Sequence, residues 1–219
     1  MSLSPPAVRA LKAALFVLAL VPLARLATGA LFFPDWLGAN PAEFITRSLG
    51  DWTLRFLLIT LAVTPVRKLS GWHWLANFRR MFGLYAFFYC LVHLSSYVAF
   101  DHVFDVVAIL KDIVKRPFIT VGFTALVLMT PLAITSTNRM VQRLGAKRWL
   151  ALHRLVYVIA PLGVLHFWWM VKRDITEPAI YGLILAVLLG YRVVVRLKDR
   201  RRRTRLAPRG AAPQPRANA

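Results

Sequence analysis

The chain has 219 residues, of which 58% are hydrophobic and only 17% charged, with a mean hydropathy of +0.56 and a formal net charge of +20. These values exclude an ordinary soluble domain, and a single cysteine, Cys90, excludes both a disulfide framework and a thiolate metal cluster. The charges are clustered, and the apolar segments between clusters are long enough to cross a bilayer, which takes about 20 residues of helix.

Six membrane spans are expected in chain order. The first runs from about Leu11 to Phe33, behind Arg9 and Lys12. It is too long for a signal-peptide core and carries Arg25, so it reads as a retained span. The second covers about Phe44 to Val66, the third Met81 to Phe100 and the fourth Pro117 to Thr135. The fifth covers Trp149 to Met170 and the sixth Ile175 to Val195. Continuous apolar runs, rather than short alternating ones, exclude a membrane barrel. The fold class is therefore all-α: a polytopic membrane bundle of six transmembrane helices with no internal repeat and no soluble domain. A short N-terminal segment (1–10) precedes the membrane domain (11–196), and a basic tail (197–219) expected to be disordered follows it.

The basic residues give an orientation. The N-terminus, two connections and the tail together hold 20 Lys and Arg against one acid, whereas the opposite side holds 6 against 8 acids. The positive-inside rule then puts both termini in the cytoplasm. That asymmetry accounts for most of the net charge without nucleic acid as a partner. The tail KDRRRRTRLAPRG suits the anionic headgroups of membrane lipid.

Histidines carry the chemistry. His73 falls in a basic connection and His102 just beyond the third span, but His93, His153 and His166 fall inside spans. A lone membrane histidine often does no more than hydrogen-bond a neighbouring helix. Three on two helices, with no buried acid to partner them, point instead to axial ligation of a b-type haem. Zinc lacks a carboxylate or thiolate to complete a four-ligand site. At about 1.5 Å rise per residue from the basic side, His93 lies roughly 20 Å deep, His153 about 8 Å and His166 about 27 Å. His93 pairs better in depth with His166, and His93 with His153 is the alternative. His153 and His166 lie about 20 Å apart along one helix, so they cannot grip the same haem from opposite faces. If both are ligands they serve two haems, and the second site would need Tyr85, water, an open position or His73 to complete it. Pro161 between them is expected to bend the helix.

Arg79, Arg80, Arg148 and Arg154 flank this region and suit haem propionates or a phosphate, although topology and snorkelling also account for them. Arg25 and Arg55 lie within spans, where each is expected to face the bundle interior and an anionic partner. Trp168 and Trp169 read as interfacial anchors. Acids such as Asp35, Glu43, Asp101 and Asp112 on the outer side are available to dock a partner, or serve only solvation. No GxGxxG loop is present, so the electron donor is quinol or another protein rather than a nicotinamide.

Three segments, NFRRMFGLYAFFYCLVHL (77–94), KRPFITVGFTALVLMTPLAITSTNRM (115–140) and RWLALHRLVYVIAPLGVLHFWWMVK (148–172), resemble the MsrQ (formerly YedZ) family. That family lies within the wider ferric-reductase-like transmembrane group, and the resemblance covers about residues 8–197. It implies a haem-binding membrane subunit that passes electrons across the inner membrane to MsrP, a periplasmic molybdenum-cofactor enzyme reducing methionine sulfoxide in oxidised proteins. It implies haem b (one or two) and FMN as cofactors, the quinone pool or a cytoplasmic flavin reductase as donor, and no catalytic sulfoxide chemistry in this chain. His93, His153 and His166 match the family's membrane histidines. The broader group carries two histidines on each of two helices, and this chain lacks one on its third span. Two other classes compete: a stand-alone transmembrane ferric reductase, and a transporter or scaffold in which the histidines relay protons or pack.

Overall fold

The structure, a computed structural model, describes residues 3–171 and 174–206, with side chains as far as Arg202. The described residues form ten α-helices and no strand. These include six segments long and apolar enough to cross a membrane: Pro5–Phe32, Pro41–Ser70, His73–Asp101, Pro117–Ile134, Ala146–Met170 and Thr176–Arg202. The all-α bundle of six spans expected from hydropathy is thus present. Short connections make successive spans antiparallel, so basic connections gather at one end of the bundle and acidic ones at the other. Helix continues through residues 197–206 of the basic tail, and the remainder of that tail lies outside the described residues.

The first span is broken into α1 (Pro5–Leu18) and α2 (Val21–Phe32). Pro22 has no N–H for the carbonyl of Leu18, and the Leu20 N–H turns back to Val17 at 3.0 Å, leaving the Phe16 carbonyl without its helical donor. Hydrocarbon offers no water to repair such a gap. Two tyrosines do so instead. On α4 (Arg79–Ser96), Tyr85 donates to the Phe16 carbonyl and Tyr89 to that of Ala19, each at 2.7 Å. Four residues apart, the two phenols share one helix face.

The central helix is α3 (Pro41–Ser70). Asn40 caps its start by accepting from the Glu43 N–H, and Gly71 closes its end in the left-handed conformation at φ 73°. Leu49, Leu54, Phe56, Leu57 and Leu61 of α3 are buried, and Phe56 stacks on both Tyr85 and Tyr89 of α4. A second pair joins α6 (Pro117–Ile134) to α9 (Val156–Met170). The last helix, α10 (Thr176–Leu206), packs on α9 and α3.

Arginines fasten α10 without carboxylates. Arg192 donates to the Leu61 carbonyl at 2.6 Å and lies over the Tyr157 ring, 5.5 Å from its centre. Arg55 makes its direct contacts with neutral groups, although the charge of Asp51 lies one turn away: its Nε donates to the Tyr181 hydroxyl at 2.8 Å, and its guanidinium lies 4.8 Å from the Trp52 ring centre. A phenol and an indole face spread the charge and spare the desolvation of a second ion. Arg25 departs from expectation, being exposed on α2.

Three short helices cross the ends. At the acidic end α5 (Val106–Lys115) is amphipathic, capped by Asp105 and without a buried residue. At the basic end lie α7 (Asn138–Leu144) and α8 (Ala146–Leu152), and a single 3-10 turn over His153–Leu155 carries α8 into α9. Helix runs on through Pro161, so the change of helical form in this span falls at His153 rather than at the proline.

Removing the fully buried Tyr89 hydroxyl orphans a carbonyl at the kink. Tyr89→Phe is expected to cost about 1 kcal/mol, read as a lower unfolding midpoint of the purified chain in detergent.

Candidate functional site

Each helix pair contributes one histidine to a shared cavity of about 480 Å³. His93 on α4 places Nδ1 2.8 Å from the Thr46 carbonyl of α3, and His166 on α9 places Nδ1 2.7 Å from the Phe118 carbonyl of α6. A carbonyl only accepts, so both Nδ1 atoms carry the proton and both Nε2 atoms keep their lone pair.

The sequence permits this geometry through two glycines. Gly50 follows Thr46 by four residues, and Gly122 follows Phe118 by four. In a helix the side chain at i+4 flanks the carbonyl of residue i. A glycine there opens that carbonyl to a donor arriving from the side. A Cβ at Gly122 would stand 2.7 Å from His166 Nδ1, and one at Gly50 3.2 Å from His93 Cε1. The His166 ring therefore occupies space that only glycine leaves, and the His93 ring stands where a Cβ would require it to give by a few tenths of an ångström.

The imidazole centres are 6.2 Å apart with ring planes at 77°. An atom about 2 Å from a nitrogen of each ring, the ordinary metal–imidazole distance, sets ring centres roughly 6 Å apart. Leu54, Leu57, Leu126, Met129 and Ile159 supply apolar wall. Among the described residues no three His, Cys, Asp or Glu side chains converge, so a bare tetrahedral ion finds no protein cage. Two neutral imidazoles and apolar walls fit a macrocycle that brings its own equatorial ligands.

The acidic-end mouth is fastened by a polar cluster. His102 Nε2 lies 2.7 Å from the Tyr97 hydroxyl and 3.1 Å from Asp112, to which Arg116 donates at 3.0 Å. These contacts tie α5 to the ends of the third and fourth spans. They hold a turn in which Val103 and Phe104 take left-handed φ values of 46° and 64°, a conformation that persists only where its surroundings enforce it.

A second cavity, of about 300 Å³, lies toward the basic end. His153 lines it together with Arg67, Arg79 and Arg80, and no carboxylate does. Leu57, Met129 and Ile159 line both cavities, so one layer of apolar side chains separates them. His153 stacks on Trp149 with ring centres 3.8 Å apart, the two lying one turn apart on the same face. Its Nε2 is 3.1 Å from the Thr135 hydroxyl, which itself donates to the Pro131 carbonyl at 2.6 Å. The hydroxyl proton being used, His153 Nε2–H is the donor, and Nδ1 is its free nitrogen. His153 is thus held in a different state from His93 and His166.

The structure therefore brings together His93 with His166, and His153 with Arg79 and Arg80. Arg148 and Arg154 are exposed and line neither cavity, as is His73. Tyr85 points away from the second cavity to Phe16. Three participants went unread in the sequence. Arg67 looked like one more basic flank of a connection, and Gly50 and Gly122 looked like ordinary small residues in membrane helices. The recoverable signal was the position of each glycine on the helix antiparallel to a histidine at similar depth.

Comparison with known proteins gives a consistent set of relatives. Residues 49–164 match the family described as ferric reductase like transmembrane component. The protein-methionine-sulfoxide reductase heme-binding subunit MsrQ of Herminiimonas arsenicoxydans is 59% identical over 206 residues, which is 93% of this chain and 94% of that one. The MsrQ subunits of Azospira oryzae and Bordetella pertussis are 55% and 51% identical, over 89% and 87% of this chain and 83% and 92% of theirs.

The glycine cradle predicts a contrast between two alanine substitutions. Gly122→Ala is expected to cost about 1–3 kcal/mol through overpacking against His166. Gly163→Ala, whose Cβ meets Leu54 at an ordinary 3.6 Å, is expected to change stability by no more than about 0.5 kcal/mol. Equal melting shifts for the two variants would dismiss the cradle.

Proposed function

The chain belongs to the MsrQ family within the ferric-reductase-like transmembrane group, as a multi-pass protein of the bacterial inner membrane, and from that premise we propose that it is the haem-binding electron-delivery subunit of a methionine sulfoxide reductase system. The observation that carries this reading is the pair of imidazoles whose centres lie 6.2 Å apart, each with its Nδ1 proton spent on a carbonyl. His93 and His166 would hold a haem b through Nε2. Bound there, haem supplies a one-electron redox centre in an apolar slot.

The protein's own part is positional. Thr46 and Phe118 fix the two tautomers and ring orientations, in the way that outer partners tune metal-ligating histidines generally. Leu54, Leu126 and Ile159 keep the slot dry. In the second cavity Arg67, Arg79 and Arg80 complement an anionic group beside His153. Haem propionates and the phosphate of FMN both present that charge, so this cavity is the place for a second haem or for the flavin. Arg148 and Arg154, exposed on α8 and at its junction with α9, fall to interfacial anchoring instead.

The charge asymmetry supports a cytoplasmic basic end and a periplasmic acidic end. Electrons then enter beside His153, from quinol or a cytoplasmic flavin reductase, and leave beyond His166. The acceptor is MsrP, the periplasmic molybdenum-dependent catalytic subunit where the sulfoxide is reduced. Asp35, Glu43 and Asp105 lie exposed at that end for docking.

Cofactor content tests the assignment in the detergent-purified chain. His93→Ala and His166→Ala are each expected to lower the haem-to-protein ratio by one, whereas His153→Ala spares that haem. A wild-type ratio near two assigns the second cavity to haem; a ratio near one, with one flavin per chain, assigns it to FMN. Full haem retention in His93→Ala would remove the pairing. In vesicles holding the chain and purified MsrP, electron transfer to methionine sulfoxide is expected and should be lost with His93→Ala. Reduction of ferric chelates without any transfer to MsrP would favour a stand-alone ferric reductase.

A further inference from the structure

A third opening lies apart from both histidine cavities. It is a groove of about 660 Å³ between α1 and α4, open on its outer side. It begins at the basic end, where Arg9, Lys12 and Arg80 stand at its mouth, and deepens along Phe16, Tyr85 and Phe88. From Arg80 to Phe88 the apolar wall runs about 12 Å at helical rise. The kink between α1 and α2 accounts for the gap: the two tyrosines of α4 hold the first span at Phe16 and Ala19, and α1 has no buried residue below that clasp.

We propose that this groove is a binding site for an anionic phospholipid, with its phosphate against Arg9, Lys12 and Arg80 and an acyl chain along Phe16, Tyr85 and Phe88. The charge and the wall fit this ligand together. Three cations line the mouth and no acid does, so the site favours a formal negative charge. Below the mouth the wall is apolar and opens sideways to the bilayer, where a chain still joined to surrounding lipid can enter. A quinol fits less well. It carries no charge for three cations to meet, and the one phenol in the wall, Tyr85, already gives its proton to Phe16. An unfilled groove of this size would leave its lining without contacts on one side.

Arg80 also lines the second histidine cavity and donates to Asn138 at 2.6 Å. The test therefore spares it and changes Arg9 and Lys12, which touch neither histidine cavity. Full-length chain in neutral detergent is titrated with phosphatidylglycerol or phosphatidylcholine and read by native mass spectrometry. Preferential binding of one phosphatidylglycerol is expected. The double variant Arg9→Gln/Lys12→Gln is expected to bind it about 30-fold more weakly, since each cation at a membrane surface contributes about a 5-fold preference. Phosphatidylcholine binding, haem absorbance and melting temperature should not change. Equal binding of the two lipids, or no loss in the variant, would overturn the proposal. A co-purifying quinone that phosphatidylglycerol fails to displace would reassign the groove to an electron donor. Displacement of the lipid by sn-glycerol 3-phosphate would reassign it to a soluble phosphate.

Discussion

Two hydrogen bonds set the centre of this protein: His93 Nδ1–H to the Thr46 carbonyl and His166 Nδ1–H to the Phe118 carbonyl. Each crosses between the helices of one pair, α3 with α4 or α6 with α9, and so fixes the rotation of one helix against the other as well as the tautomer of the ring. Each carbonyl is already part of a helix and accepts the imidazole on its second lone pair. That is possible because a glycine four residues on leaves the carbonyl open to the side. The two halves repeat one device, carbonyl at i, glycine at i+4 and histidine on the antiparallel neighbour, although their sequences share no repeat. Placing a donor and an acceptor together also removes the cost of burying an imidazole N–H in hydrocarbon.

Much of this was legible from the chain. Six continuous apolar runs fixed the class of fold, because a bilayer imposes a length that soluble cores do not. Depth arithmetic placed His93 nearer to His166 than to His153, and the His93 and His166 rings lie 6.2 Å apart in one cavity. What depth does not report is the direction a residue faces. Arg79 turns inward and Arg80, although exposed, still lines the second cavity, while Arg148 and Arg154, equally basic and equally close to the end of the bundle, line neither. At this junction Trp149 of α8 donates to the Thr135 carbonyl and His153 meets the Thr135 hydroxyl, a tertiary contact with the end of α6 that the sequence does not spell out. The glycines were invisible for a related reason: a glycine in a membrane helix has many bland uses, and only the ring facing it distinguishes one use from another.

The buried cations follow a common logic. An ion pair inside a bilayer must desolvate two charges. Arg55 and Arg192 instead make their direct contacts with a phenol, aromatic faces and a backbone carbonyl, which disperse the charge. Charge balance is one remedy for a buried cation, and the many aromatic residues of this chain offer another. The same aromatics repair the kink of the first span through Tyr85 and Tyr89. The hydrogen bonds made by Arg55, Arg192, Tyr85 and Tyr89 thus all go to groups that carry no charge themselves.

The layer of Leu57, Met129 and Ile159 between the two cavities has an energetic consequence for the cell. Three apolar side chains offer no hydrogen-bonded file along which a proton can hop, but they are thin enough for an electron to tunnel through. In the proposed electron-delivery role, this layer lets electrons rather than protons pass between the two cavities. With the basic end inside, as proposed, each electron moves from the negative to the positive side of the membrane and gains about 2.3 kcal/mol per 100 mV of potential. On that proposal a respiring cell drives the subunit forward with its own voltage, and every electron exported spends a small part of the proton-motive force.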